Sequence, residues 1–277
     1  MSTVTIEPVA HVPQQSSTVV DSQPVTLSRV ITAEWLKFRT LRSTVAVLSI
    51  AAAGMILIAL TVAYNTRHIT ANIDPNDRNQ SATMQGYYLG QLLIGALGVL
   101  FVSGEYSTGM IRSTFAAVPK RLPVLWAKLV VFVTVTAVTM IASCIIAFLC
   151  AQALISHYRV GFSLGGPGVL RVVIGTGAYL TLIGVVGAAL AWIVRSTPGS
   201  LVAYIAVILV LPGLFGNVLG QWGKDIAKFM PSEAGASFVN TLRDPGSLTP
   251  WTGLGVLAIW AVVGIATAAI QLRRRDA

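Results

Sequence analysis

Six stretches of this chain, residues 44–64, 84–102, 129–155, 172–194, 200–219 and 251–272, contain no aspartate, glutamate, lysine, arginine or histidine. Each is about 19 to 27 residues long, and roughly 20 apolar residues in a helix cross a hydrocarbon core of about 30 Å. Inside lipid every backbone amide must find its partner within the chain, so such runs fold as helices. One charge at the centre of such a helix would cost about 2.5–3.5 kcal/mol on insertion. Only 10% of the 277 residues are charged, against about 25% in soluble domains. The expected fold class is therefore an all-α membrane protein with six transmembrane helices.

An even number of spans puts both ends on one side. With the N-terminus inside, the inner basic residues are Arg29, Lys37, Arg39, Arg42, Arg112, Lys120, Arg121, Lys128, Arg195, Arg273, Arg274 and Arg275. The outer ones are Arg67, Arg78, Arg159, Arg171, Lys224, Lys228 and Arg243. Twelve against seven, and a closing arginine triplet suited to anionic lipid, favour cytoplasmic termini. The net charge of +9 then follows from a basic inner face, and no nucleic acid partner is implied. Trp35, Trp126, Trp192, Trp222 and Trp251 fall at expected interfaces, where amphipathic rings are favoured. Trp260 falls nearer the middle of the last span. Cys144 and Cys150 share the third span, six residues apart on different helix faces, and read as packing residues.

Between the spans the composition changes. Residues 1–25 are rich in Ser, Thr, Pro and Gln, lack the charged and apolar regions of a secretory signal, and read as a disordered cytoplasmic tail. Over residues 26–43, Leu27, Ile31, Trp35, Phe38 and Leu41 recur at helical spacing opposite a basic face, which predicts an interfacial elbow helix. The polar loop after the first span carries a turn cluster, Asp74, Pro75, Asn76 and Asp77. Gly86 and Gly90 in the second span, and Gly177, Thr181, Gly184, Ala188 and Ala191 in the fourth, form small-residue stripes that predict close helix packing. The fifth span holds Leu211, Pro212 and Gly213, where a kink is expected. Residues 220–250 form an external link with enough apolar content for short helices that dip into the outer leaflet.

Some chemistry is absent. The Gly223-Lys224 pair is followed by Asp225 and lacks the upstream glycine of a phosphate-binding loop, so the chain is not expected to bind ATP in that manner. His11, His68 and His157 lie outside the spans, and there is no zinc-protease motif or intramembrane carboxylate pair. No catalytic or metal-ligating residue is expected. Spans free of ionisable groups also argue against a carrier driven by its own ion gradient.

One polar segment interrupts this pattern. Residues 104–121, GEYSTGMIRSTFAAVPKR, lie on the inner side between spans two and three. With the elbow segment EWLKFRTLRS, the six-span plan and the long link before span six, this segment resembles the ABC-2-type permeases, including those of bacterial antibiotic or peptide efflux and immunity systems. The resemblance covers residues 26–277. It implies the permease subunit of an ATP-driven exporter in the bacterial plasma membrane, with no cofactor of its own. The implied partners are two cytoplasmic ABC ATPase subunits, which would hold ATP and magnesium, and a second permease, identical or homologous. It also implies a coupling segment over residues 104–123, with a helix over 106–117 that Glu105 begins and Pro119 ends. Glu105, Tyr106, Arg112, Pro119, Lys120 and Arg121 are the candidate ATPase-coupling residues. Spans two and five would line a dimeric substrate path, with Gln91, Phe215 and Asn217 inside it and Tyr87 and Tyr88 near its exit. A membrane protein serving only in anchoring or assembly, and a secondary carrier acting alone, are the alternatives left open.

Overall fold

The computed structural model describes residues 26–71, 82–156, 164–166, 168–240 and 246–274. The tail over 1–25 and the turn cluster over 74–77 lie outside the described residues. Within them the chain is helical, without strands. An elbow helix, α1 (Leu27–Thr40), precedes the first spanning helix, α2 (Arg42–Ala71). Span two is α3 (Tyr87–Ser107), followed by the short α4 (Met110–Ala117) and then span three, α5 (Leu122–Ser156). Span four is α6 (Val169–Val194). Span five is α7 (Thr197–Ile205), a π-helical turn (Ala206–Val210) and α8 (Leu211–Val218). Two short helices, α9 (Gly220–Ala227) and α10 (Pro231–Val239), lead to span six, α11 (Pro250–Arg274). All six spans are long and apolar enough to cross a bilayer.

The core is built on α6, which packs between α3, α5 and α11. The reason lies in its small residues. Gly177, Thr181, Gly184, Ala188 and Ala191 are all buried. A Cβ on Gly98 of α3 would collide with the Gly184 carbonyl oxygen, so the two backbones meet directly. Such contact gathers dispersion along the helices in a medium where the hydrophobic effect gives none.

Of the α1 stripe only Phe38 is buried. The face turned to the protein is Val30, Glu34 and Phe38, while Leu27, Trp35 and Leu41 are exposed. The apolar stripe is thus left on the outside, where an interfacial helix carries it, and the opposite face packs on α5. Trp192 is buried, its ring edge-on to Tyr106 at 5.9 Å between centroids. Trp260 donates from Nε1 to the Phe229 carbonyl at 2.9 Å, which ties α11 to the α9–α10 connection.

The proline of span five does not break the helix. Pro212 has no N–H for the Ile208 carbonyl and its ring crowds that group. The chain widens ahead of it, with the Leu211 N–H donating to Ala206 five residues back, and the helix continues. The external link forms helices as expected, but α10 packs onto α6 and α11. Arg171 fastens its end by donating to the carbonyls of Phe238 and Asn240 at 2.9 and 3.1 Å.

Candidate functional site

The polar groups gather at two levels of the bundle. At the α4 end, α3 runs on past its expected limit and places Glu105 in its last turn, and α5 starts early enough to include Lys128. Glu34 and Lys37 come from α1. Lys128 Nζ lies 2.7 Å from Glu34 Oε2 and 3.0 Å from Glu105 Oε1. Lys37 Nζ lies 2.8 Å from Glu34 Oε1 and 2.9 Å from Glu105 Oε1. Two carboxylates thus alternate with two ammonium groups, and the cluster is neutral. Glu34 is 1% exposed and Lys128 2%. Lys128 also sits 4.3 Å from the centre of the Phe101 ring, a cation–π contact.

This geometry corrects the expected start of the coupling helix. Glu105 does not begin it. It stands at the C-terminal end of α3, where the helix dipole disfavours a carboxylate, and the two lysines offset that cost. Gly109 separates the helices with φ of 74°, a left-handed turn that favours glycine. The separate helix is therefore α4, and it stops at Ala117 with Val118 as its cap, two residues short of Pro119.

The cluster reaches α4 through a longer hydrogen bond from Lys37 Nζ to Thr114 Oγ1, 3.4 Å. Between α1 and α4 runs a groove of about 420 Å³ whose walls include Glu34, Lys37, Met110 and Thr114. Burial by itself would lower the Lys37 pKa, but its contacts with Glu34 and Glu105 outweigh that and hold it above the ordinary lysine value. The Lys37 ammonium is thus secure at neutral pH.

The remaining candidates at this end lie on the surface. Arg112 is exposed and lines a second groove, about 590 Å³, with Tyr106, Thr108, Gly109 and Arg195. Arg195 itself adopts a left-handed conformation, φ 59°, and closes α6 by donating its N–H to Ala191. Its guanidinium lies 5.9 Å from the Tyr106 ring. Pro119 and Lys120 are exposed, and the Arg121 guanidinium stands 5.4 Å over the Phe115 ring. Arg112 therefore does not join Glu105 in the ion cluster.

The second level lies further along α3. The Gln91 side chain accepts a 2.5 Å hydrogen bond from the Tyr179 hydroxyl of α6, and its backbone carbonyl accepts one of 2.6 Å from Tyr204 of α7. Gln91 is 5% exposed and faces its own protomer's helices. Tyr87 is buried, edge-on to Tyr179 and stacked on the exposed Tyr88. Phe215 is half-buried on α8. Asn217 is exposed, and its amide donates to the Gly213 carbonyl at 2.9 Å. Asn217 also lines an outer cavity of about 320 Å³ with Pro212, Lys224 and Glu233. The structure joins Gln91 to Tyr179 and Tyr204, and not to Phe215 or Asn217.

Sequence reasoning missed Glu34, Lys37, Lys128, Thr114 and Arg195 as site residues. The only local signal was the three-residue spacing of Glu34 and Lys37. Their partners come from other helices, which a single sequence does not pair. Among the described residues no cluster of potential metal ligands is present.

Comparison with protein families yields one match, to the family model described as ABC-2 family transporter protein, over residues 30–213. Comparison with curated proteins yields none. The matched range runs from α1 to the first turn of α8, and it contains the whole ion cluster, the groove beside Arg112 and Gln91.

Proposed function

The chain belongs to the ABC-2 family of transporter proteins, membrane components of ABC transporters that associate with an ABC ATPase, and from that premise we propose that it is the permease subunit of an exporter driven through α4. Two ATPase subunits dock on the α4 end from the cytoplasm and carry the ATP and magnesium. A second permease, identical or homologous, completes the path. The protein lies in the bacterial plasma membrane with both termini inside, and its cargo is an apolar or amphipathic molecule of the drug or antibiotic kind.

The observation that carries this reading is the ion cluster. A docking helix transmits force only if it is fastened to the spans it must move. Glu34, Lys37, Glu105 and Lys128 bind α1, α3 and α5 into one unit beside α4. Charges held at 2.7 to 3.0 Å in a dry site resist separation far more than they would in water. A push on α4 then reaches the end of span two as a displacement rather than dissipating in a loose loop. Exposed Arg112 and Lys120, with half-buried Arg121 beside them, supply directional contacts to the ATPase surface.

The test is reconstitution with the ATPase and measurement of cargo-stimulated ATP hydrolysis. Arg112→Ala should lower stimulation while the permease unfolds within about 0.5 kcal/mol of wild type, because the side chain is at the surface. Glu34→Ala leaves Lys128 short of a buried partner and should cost about 3–5 kcal/mol. Since the Lys37 pKa is raised, its contribution is complete below the unfolded lysine value and is lost only as pH climbs through the folded one. Stability should therefore be insensitive to Lys37 near neutrality and fall in strong alkali. Wild-type stimulation in Arg112→Ala, Lys120→Ala and Arg121→Ala together, or failure of any ATPase to copurify, would sink the proposal.

A further inference from the structure

A groove of about 650 Å³ opens where α5 begins and α11 ends. Lys120 and Arg121 enter it from the turn before α5, and Arg273 from the last turn of α11. Its apolar lining is Leu122 and Leu272, with Pro119 and Pro123 beside them. Among the described residues no carboxylate lines it, and α5 has no acidic residue in its first turn. Among the described residues, neither Lys120 nor Arg273 pairs with a carboxylate. Arg121 is held against the Phe115 ring and forms the wall.

The level of this groove follows from the helices that make it. Leu122 is the first residue of span three and Leu272 lies in the last turn of span six. One turn further along α5, Trp126 is 47% exposed, followed by the exposed apolar Val130. An exposed tryptophan marks the boundary between headgroups and hydrocarbon. The cations therefore stand at headgroup depth, and the leucines point the way into the acyl layer.

We propose that this groove is a binding site for one anionic phospholipid. Lys120 and Arg273 contact the phosphate, the positive end of the α5 dipole adds to the same field, and the acyl chains leave along Leu122 and Leu272. A surface meant only for an acidic protein has no need of an apolar floor opening onto lipid-facing helix. A floor for any lipid has no need of cations drawn from both sides. The site lies partly beyond the residues that the family shares, since Leu272 and Arg273 follow the matched range. Its consequence is mechanical. The lipid bridges the end of α11 to the turn that joins α4 to α5, a pair of segments that otherwise share little contact.

The experiment is native mass spectrometry of the full chain, purified in mild detergent and titrated with phosphatidylglycerol or phosphatidylcholine. Wild type should retain phosphatidylglycerol in preference to phosphatidylcholine. At about 1 kcal/mol per basic residue near an anionic surface, Lys120→Ala with Arg273→Ala should weaken retention by roughly tenfold or more. Lys120→Arg with Arg273→Lys keeps the charge and should keep the lipid. Lys224→Ala, at the other end of the bundle, should change nothing. Equal retention by the double alanine variant, or equal binding of the two lipids, overturns the proposal. Displacement of the lipid by millimolar inorganic phosphate overturns it as well, because the site then takes a free anion. A double alanine variant that keeps its lipid but no longer copurifies with the ATPase assigns the groove to the protein partner instead.

Discussion

Spans four and five have nearly equal mean hydropathy, 2.0 and 2.2, yet 72% of the first is buried in the protein and 17% of the second. Hydropathy is a statement about lipid versus water, and both helices satisfy it. What separates them is the size of the residues along each face. The α6 stripe of glycine, alanine and threonine lets α3 and α5 approach to backbone contact. The α7–α8 stretch turns Val202, Ile205, Leu209, Val210, Leu214 and Val218 outward. Few of its residues are buried: Ser200, Tyr204, Ile208 and Pro212. One span is therefore finished within the chain. The other leaves a broad apolar face open, and the π-helical turn lies just ahead of Pro212.

The comparison breaks most directly at the glycines. Gly187→Leu on α6 would drive a side chain into the Gly95 backbone of α3 and should cost at least about 3 kcal/mol, since backbone yields less than side chains. Gly213→Leu on α8 meets nothing within 4 Å and should stay within about 0.5 kcal/mol of wild type. Thermal unfolding in detergent measures both, and equal losses would erase the distinction between the two spans.

A smaller effect sharpens it. Tyr179→Phe leaves the buried Gln91 oxygen without its donor and should cost about 1–3 kcal/mol. Tyr204→Phe removes a bond to a carbonyl that α3 already serves, and should cost about 0.5–1.5 kcal/mol. Asn217→Ala, whose amide only satisfies its own helix at the surface, should be the mildest, within about 0.5 kcal/mol. If Asn217→Ala instead impairs export while stability holds, the outer cavity beside α8 belongs to the path.

Much of this was legible in the residues. Six uncharged runs of sufficient length give six helices, and the structure moves their ends by a turn or two. The small-residue stripe of α6 announced its own burial. Partner choice was hidden. The α1 helix carries two plausible inward faces, an apolar one through Trp35 and a mixed one through Glu34. Periodicity puts the first in the membrane interface, and the second turns inward because Lys37 of α1 itself and Lys128 of α5 neutralise Glu34. Gln91 likewise reads as an available polar group until Tyr179, far away in the chain, is seen to fill it. Trp192 sits at a span end, where lipid is the ordinary neighbour, but it is buried with Tyr106 edge-on to its ring.

By itself the sequence determined the class and the number of crossings. The physical reason is local: a backbone in hydrocarbon must bond within its own segment. Which charges meet, which face of α1 turns inward and which span is left open were decided only by the tertiary structure. A buried carboxylate is stable only where cations from other helices converge on it, and that convergence depends on how backbones pack at their glycines.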